Sequence, residues 1–132
     1  MKANELRIGN LIIGEYTHDY DRKEQLLCKV VVIDSVGETQ HSIWVDSNSS
    51  VETFDDFKPI PLTEDWLKRF GATKYYNDTY HIAFMWIIKI DNNTWEVRVN
   101  LDFLLCDIQY VHQLQNLYFA LTGEELKYNH LK

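Results

Sequence analysis

One set of side chains near the end of the chain has the spacing of a binding surface. The set comprises His112, Gln115, Asn116 and Phe119. Residues three, four and seven positions apart are neighbours on one face of a helix. No charged residue occurs from 108 to 123, whereas a solvated helix face usually carries Lys and Glu. The pattern indicates a surface for a partner chain or a ligand. The alternative is that this face packs on the β-rich first half of the chain, with its amides bonded to strand edges.

A histidine and two carboxylates occur together in the segment 17–21, which reads Thr-His-Asp-Tyr-Asp. Imidazole and carboxylate groups are ligands for zinc and for hard cations. No second group with ligand spacing accompanies His18, Asp19 and Asp21, and a polar surface loop has the same composition. We therefore predict no metal site and no cofactor for this sequence.

Motifs for catalysis are absent from the sequence. It contains no G-x-S-x-G elbow, no glycine-rich phosphate loop and no H-E-x-x-H pair. Asp55 and Asp56 are adjacent carboxylates, but adjacent residues do not face each other on a helix, so we interpret them as solvated or capping residues. An acid–base pair without a motif is the remaining route to an enzyme.

Aromatic residues make up 14% of the chain and allow two interpretations. The relevant group comprises Tyr75, Tyr76, Tyr80, Trp86 and Trp95. Such rings could stack on a flat ligand. Cross-strand pairs in a sheet core, each worth about 0.2–1 kcal/mol, are the commoner use of aromatic residues and the one that we expect here.

Composition excludes several classes of protein. The 132 residues are 45% hydrophobic, which is too apolar for a disordered chain. The net charge is −7 without a basic cluster, which disfavours nucleic acid as a partner. The longest apolar run, 82–88, is far shorter than the about 20 residues that span a bilayer. With no apolar leader, we expect a cytoplasmic location, no membrane partner, and reduced Cys28 and Cys106 in the core.

The first half of the sequence predicts a β-rich subdomain over residues 1–62. The expected elements are strands at 7–14, 26–34 and 42–46, a mobile loop at 15–25 and a helical turn at 55–57. Pro59 and Pro61 keep the preceding residues extended. Several short strands at this spacing are typical of an SH3-like barrel or open sheet.

The second half predicts an α+β subdomain over residues 63–132. Thr63 as N-cap, an acidic first turn, a basic last turn and Gly71 as the terminating residue predict a helix at 64–70. Four strands and a second helix follow, at 74–76, 79–90, 94–100, 103–109 and 110–122. The order α-β-β-β-β-α is typical of an antiparallel sheet with helices on one face. A single compact domain over the whole chain is the alternative.

Within this second half, two details of side-chain placement are predicted. The segment 79–90 is apolar on both faces, which predicts a long strand buried on both sides, with Trp86 in the core. The helix at 110–122 has a predicted buried stripe formed by Val111, Leu114, Leu117, Tyr118 and Leu121.

Three blocks of the sequence are distinctive together: MKANELRIGNL at 1–11, PIPLTEDWLKRFG at 59–71 and VHQLQNLYFALTGEEL at 111–126. They resemble small proteins of Bacteroides-type bacteria and their phages or prophages, a family of unknown function. The resemblance implies a bacterial or phage setting and a cytoplasmic accessory role. It carries over no site residues and no chemistry, but the uncharged helix lies in its most recognisable block.

Taken together, the sequence favours a non-enzymatic binding or protein-interaction module of a bacterial or prophage accessory protein. Its contact would be another protein or a second copy of the chain. The alternative is a small enzyme or ligand-binding protein with an unmarked pocket between the two subdomains. A structural phage component is a third hypothesis.

Overall fold

A computed structural model describes residues 6–18, 22–36, 40–46, 56–100 and 102–128 of the chain. In these ranges it is a mixed α+β protein dominated by strands, with two sheets and two helices. The chain divides into two compact units, residues 1–60 and residues 61–132. This division lies two residues before the boundary predicted after residue 62.

The first unit contains an antiparallel four-stranded sheet in the order β3-β2-β1-β4. Its strands are β1 (Leu11–His18), β2 (Arg22–Val36), β3 (Gln40–Asp46) and β4 (Asp56–Lys58). Ile12 lies opposite Cys28, so the alternation of side chains along β1 and β2 directs the same face of both strands inward. The core cluster consists of Leu6, Ile12, Cys28 and Val30, with partly buried Leu26, Val45 and Phe57 packed against it.

The first strand begins later than predicted because a turn precedes it. Gly9 has a φ of +100°, which is readily accessible only to glycine. Its N–H donates to the Val30 carbonyl at 2.8 Å, and the Val30 N–H donates to the Asn10 carbonyl at 2.9 Å. The buried Asn10 Oδ1 also accepts from the Arg7 N–H at 2.6 Å. The prediction of a strand at 7–14 is therefore correct only from Leu11 onward.

The prediction of a mobile loop at 15–25 is wrong on both sides of residues 19–21, which lie outside the described ranges. Residues 15–18 belong to β1 and residues 22–25 to β2, and these parts of the two strands pair as an antiparallel ribbon. The Tyr16 hydroxyl donates to Glu24 Oε2 at 2.5 Å, and Gln25 Nε2 donates to Glu15 Oε2 at 2.9 Å. Polar cross-strand pairs therefore stabilise strands that lack an apolar alternation.

The predicted helical turn at 55–57 is also wrong for the two residues of it that the structure describes. Asp56 and Phe57 belong to β4, where Asp56 lies opposite Glu15 and Phe57 opposite Gly14. Lys58 Nζ lies 3.1 Å from Glu15 Oε2, which adds an ion pair to this edge of the sheet. Pairing with β1 thus decides the conformation of a segment whose local sequence favours a turn.

The second unit contains an antiparallel five-stranded sheet in the order β5-β6-β7-β8-β9. Its elements are α1 (Glu64–Arg69), β5 (Thr73–Tyr76), β6 (Thr79–Ile82), β7 (Met85–Lys89), β8 (Trp95–Val99), β9 (Phe103–Ile108) and α2 (Val111–Thr122). Each strand pairs with the next one along the chain, so the sheet is a meander. It has one strand more than predicted.

The helix α1 begins and ends where its capping residues predict. Thr63 Oγ1 accepts a hydrogen bond from the Trp66 N–H at 3.3 Å, and the acidic and basic residues occupy the first and last turns. Gly71 follows the helix with a φ of +85°. Leu67 and Phe70 are buried, whereas Trp66 is half-buried.

The predicted long strand at 79–90 is wrong because a tight turn interrupts it. Ile82 lies opposite Met85, which leaves Ala83 and Phe84 as a two-residue connection between β6 and β7. Ala83 adopts a φ of +53°, a region that residues other than glycine seldom occupy. The segment therefore forms a hairpin rather than one strand.

This turn changes which residues face the core. Tyr80 and Ile82 are buried before the turn, and Met85 and Ile87 are buried after it. The buried set therefore changes from even to odd residue numbers. Trp86 consequently lies on the opposite face of the sheet and is half-buried, which corrects its predicted place in the core.

The helix α2 is buried mainly in its first half. Its N-cap is Tyr110, and Gly123 ends it, as predicted. Val111 and Leu114 are fully buried, but Leu121, predicted to belong to the same buried stripe, is exposed. Among the described residues, no helix has the length and apolar character needed to cross a membrane.

Candidate functional site

The four residues of α2 predicted to contact a partner are not equally accessible. His112 and Gln115 are each 2% exposed, Asn116 is half-buried, and Phe119 is 38% exposed. Burying a charged group costs far more than burying a neutral amide or imidazole, so burial accounts for the absence of charge on the first half of this helix. Contact with a partner through this face stays a prediction, and in this structure it would use Asn116 and Phe119.

The polar segment considered for metal binding lies mostly outside the described ranges. Thr17 and His18 end β1, and residues 19–21 are not described. In the part of the chain that the structure describes, no three His, Cys, Asp or Glu side chains are grouped so that they could hold a metal ion. Of the adjacent carboxylates, Asp55 is not described, and Asp56 Oδ1 accepts from the Phe57 N–H at 2.8 Å.

Neither Cys28 nor Cys106 forms a disulfide with a described residue. Cys28 is buried in the first unit, whereas Cys106 is half-buried in β9. Burial, and to a lesser extent the charge of Asp107, raises the pKa of the Cys106 thiol. A raised pKa disfavours the thiolate, so Cys106 is not activated as a nucleophile.

One face of the five-stranded sheet carries a continuous row of side chains that crosses four strands. His81 lies opposite Trp86, which lies opposite Arg98, which in turn lies opposite Leu104. The ring centroids of His81 and Trp86 are 4.5 Å apart, and those of Tyr75 and Trp86 are 4.9 Å apart. These rings pack on one another across the strands, as expected for cross-strand aromatic pairs, although Tyr75 stays 54% exposed.

The row ends at an open edge of the sheet, where three consecutive apolar side chains are exposed. Phe103, Leu104 and Leu105 are 67%, 55% and 38% exposed. Strand β9 pairs with β8 on one side and with no described strand on the other. A bulge at Leu105 interrupts the pairing with β8, and a similar irregularity occurs at Tyr75 in β5, the opposite edge strand. Bulges twist an edge and thereby discourage indiscriminate pairing.

Two carboxylates flank this apolar edge. Asp102 and Asp107 are both exposed, and neither forms an ion pair with a described residue. Asp107 lies opposite Glu96, whose carboxylate is paired with the Arg98 guanidinium. The Arg98 guanidinium on the neighbouring strand is thus already paired with Glu96, and the edge presents apolar side chains between two carboxylates.

A hydrogen-bonded group of ionisable side chains joins α1 to the sheet. The Glu64 carboxylate accepts from the Tyr80 hydroxyl and from Lys74 Nζ, the latter at 3.2 Å. The Tyr80 hydrogen bond, followed by that of Lys74, lowers the pKa of Glu64 to about 2. Burial, followed by the hydrogen bond to Glu64, raises the pKa of Tyr80. Both shifts move the groups away from neutral pH, so the pair stabilises the fold rather than transferring protons.

We expect Glu64→Gln to lower the free energy of unfolding at neutral pH and to have less effect in acid. Because folding lowers the pKa of Glu64 from 4.5 to about 2, its stabilising contribution is complete above pH 4.5 and is lost as the pH falls through about 2. Urea denaturation of both proteins at pH values across this window measures the difference. In a Tyr80→Phe background the pH-dependent part should shrink. If the difference in unfolding free energy between the two proteins stayed constant across these pH values, the lowered pKa of Glu64 would be contradicted.

A small pocket forms where three segments of the second unit meet. Trp95 lies opposite Ile108, so the turn before β8 lies beside the residues that follow β9. The Leu62 N–H donates to the Gln109 carbonyl at 2.9 Å, and Trp95 Nε1 donates to the Leu62 carbonyl at 3.0 Å. These two bonds hold the third segment, residues 61–62, against the other two. The cavity has a volume of ≈ 310 Å³ and is lined by Pro61, Leu62, Asn92, Asn93, Gln109 and Tyr110.

Sequence reasoning missed this pocket because no motif marks its residues. Asn92 and Asn93 fall between the strands predicted at 79–90 and 94–100, and Gln109 is the last residue of the strand predicted at 103–109. The sole signal is a set of uncharged amides at the ends of two strands, and it becomes visible only when the pairing of those strands is known. All the lining residues lie within the second unit, residues 61–132, although the boundary predicted after residue 62 would assign Pro61 and Leu62 to the first subdomain.

Fold and surface features together define a strand-dominated α+β protein with an exposed apolar sheet edge and a small polar pocket. No protein-family model, curated protein or solved structure matches this chain. Its function is therefore inferred from the residues of the edge and of the pocket.

Proposed function

We propose that this protein is a non-enzymatic binding module that holds an extended segment of a partner protein on the open edge of β9. The observation that carries the proposal is the run of three exposed apolar side chains at residues 103–105. Single exposed apolar residues are ordinary on protein surfaces. An exposed apolar run on an edge strand is a liability that natural sheets avoid, which favours a use for it.

Strand addition is the binding mode that suits this edge. A peptide that extends a sheet gains backbone hydrogen bonds, and its alternating side chains provide specificity. Leu104 lies in the same row as Arg98 and Trp86, whereas Phe103 lies opposite Val99 in the neighbouring row. Successive side chains point to opposite faces of a strand, so the edge offers an apolar contact on each side of an added strand.

Charge indicates which segment would bind. Asp102 and Asp107 lie at either end of the apolar run without a described cationic partner. A segment with alternating apolar residues and flanking Lys or Arg would complement them. A second copy of the chain, with a net charge of −7, would instead bring identical carboxylates to the same edge. The charges therefore favour a basic partner segment over self-association.

The biological setting belongs to the same proposal. The three blocks that resemble proteins of Bacteroides-type bacteria and their phages support a cytoplasmic accessory role in a bacterium or prophage. An SH3-like assignment of the first unit is supported by its antiparallel sheet of order β3-β2-β1-β4. Small β-rich domains of this kind commonly present sheet surfaces and loops to partners.

Selection of a random peptide display library against the full-length protein tests the proposed partner chemistry. We expect the selected peptides to alternate apolar residues and to carry flanking Lys or Arg. Leu104→Ser should weaken their binding roughly tenfold, since it removes about 1–2 kcal/mol of apolar contact. Asp107→Asn should weaken it less, and mainly at low salt, because salt screens exposed charges. Isothermal titration calorimetry measures each affinity.

Two further variants make this experiment decisive. Ile90→Ser replaces another exposed apolar residue of the second unit outside β9, and it should leave the affinity unchanged. Phe119→Ser tests the exposed part of the α2 face. Loss of binding with Phe119→Ser but not with Leu104→Ser would move the contact to α2. Concentration-dependent self-association abolished by Leu104→Ser would show that the edge serves a second copy instead.

A further inference from the structure

We propose that the pocket beside the start of α2 binds a neutral carbohydrate ring. It is a separate site from the β9 edge, and it is formed by the segments 61–62, 92–93 and 109–110. Its volume of ≈ 310 Å³ lies at the lower end of the roughly 300–1,000 Å³ typical of small-molecule pockets. A single sugar ring is a ligand of suitable size.

Side-chain carboxamides occur in three of the residues that line this pocket. They belong to Asn92, Asn93 and Gln109. Hydrogen bonds that shape the surrounding backbone use other atoms: the Asn93 N–H donates to Asp91 Oδ1 at 2.9 Å, and the Gln109 N–H donates to Gln113 Oε1 at 2.7 Å. The carboxamides themselves are exposed and are bonded to no described residue. Each offers both donors and an acceptor, as sugar hydroxyl groups do.

Charge and polarity exclude the main alternative ligands. Among the residues that the structure describes, no Lys, Arg or His lines the cavity, so a phosphate or carboxylate ligand would find no described cation to pair with. The neighbouring Asp91 is negative, which disfavours anions further. A wholly apolar ligand would displace water from the carboxamides without replacing its hydrogen bonds, which costs free energy. A neutral ligand rich in hydroxyl groups needs no cation and can replace the hydrogen bonds that water makes with the carboxamides.

The apolar wall of the pocket is held in place by its neighbours. The Tyr110 ring lies parallel to the His112 ring, with centroids 5.9 Å apart and an angle of 8° between the planes. The Tyr110 N–H donates to Gln113 Oε1 at 3.0 Å. Tyr110, Pro61 and Leu62 are the lining residues with apolar side-chain groups, the kind of group that packs on the C–H groups of a sugar. A wall fixed before binding reduces the entropy lost when the ligand is bound.

NMR titration of the ¹⁵N-labelled full-length protein tests the site. The probes are glucose, galactose, mannose and N-acetylglucosamine, with adenosine and uridine as neutral rings of another class. We expect at least one sugar, and neither nucleoside, to shift the side-chain amide signals of the three carboxamides. The Trp95 indole signal should shift with them, because that N–H is bonded to the Leu62 carbonyl in the pocket wall.

Matched variants establish whether the pocket is responsible. Asn92→Ala and Gln109→Ala should each weaken sugar binding about five- to tenfold, the effect of losing one neutral hydrogen bond. Asn77→Ala changes an exposed asparagine in another hairpin turn, and it should have no effect. The Trp95 indole signal of the free variants reports that they are folded. Absence of shifts with every sugar, shifts with nucleosides alone, or sugar shifts unchanged by both pocket variants would overturn the proposal.

Discussion

Trp95→Ala is expected to lower the free energy of unfolding by about 3–5 kcal/mol, the usual cost of truncating a buried aromatic residue. Trp95 is 2% exposed, and its ring centroid lies 5.8 Å from that of Tyr80. Its indole N–H also donates to the Leu62 carbonyl at 3.0 Å. The substitution therefore leaves both a cavity and a buried carbonyl without its donor. Urea denaturation followed by far-ultraviolet circular dichroism measures the change.

Trp86→Ala is the matched control for this prediction. Trp86 is half-buried on the other face of the same sheet, where it packs on Tyr75 and His81. Its truncation should cost only about 1–2 kcal/mol, the sum of two cross-strand contacts and partial burial. A larger effect for Trp86 than for Trp95 would show that the core of the second unit has been placed on the wrong face.

Ile87→Ala is expected to cost about 2–5 kcal/mol, whereas Ile88→Ala should cost less than about 1.5 kcal/mol. Ile87 is fully buried and lies between Tyr80 on β6 and Val97 on β8. Ile88 is half-buried and lies opposite Glu96 on the other face. The two substitutions remove the same atoms from adjacent positions, so their difference measures burial alone. Chemical denaturation at pH 7 provides both values.

The same pair of variants tests the turn at Ala83 and Phe84. In an unbroken strand over residues 79–90, Ile88 would share a face with Tyr80 and Ile82, and Ile88→Ala would be the costly change. The hairpin reverses this order, since the buried positions after the turn are Met85 and Ile87. A greater loss of stability for Ile88→Ala would therefore exclude the hairpin.

Helix ends were predictable from sequence because capping is a local interaction. Thr63 and Gly71 bound α1, and Gly123 ends α2, through groups a few residues away along the chain. The types of these residues alone therefore indicate where each helix begins or ends. The mixed α+β class followed from the same local patterns.

Strand limits in the first unit and at residues 79–90 were less predictable because distant pairing decides them. The connection between β6 and β7 contains no Gly, Asn or Asp, the residues that normally mark a two-residue hairpin turn. The ribbon of β1 and β2 depends on contacts such as Tyr16 with Glu24, which join residues that look like loop residues in isolation. Neither the two-residue connection between β6 and β7 nor the polar part of the ribbon shows a pattern of apolar residues that would predict it from sequence.

For the candidate surfaces too, residue types were predictable from the sequence, whereas exposure and position were not. The uncharged face of α2 was visible in the sequence, but its exposure was not, since His112 and Gln115 are buried and Phe119 is exposed. The pocket depends on the register between β8 and β9, which brings Asn93 near Gln109. The sequence predicts residues 103–109 only as a strand. It does not indicate that this strand lies at the edge of the sheet, where its apolar side chains are exposed.

The bulge at Leu105 also bears on whether further strands could add to this edge of the sheet. A regular, flat edge that accepts one strand presents an equivalent edge for the next, which is the geometry by which amyloid fibrils grow. Here the extra residue breaks the repeat, and the irregularity at Tyr75 breaks it on the other side of the sheet. If β9 accepts a strand as proposed, the inserted residue in each edge strand favours addition of one strand over growth of a continuous sheet.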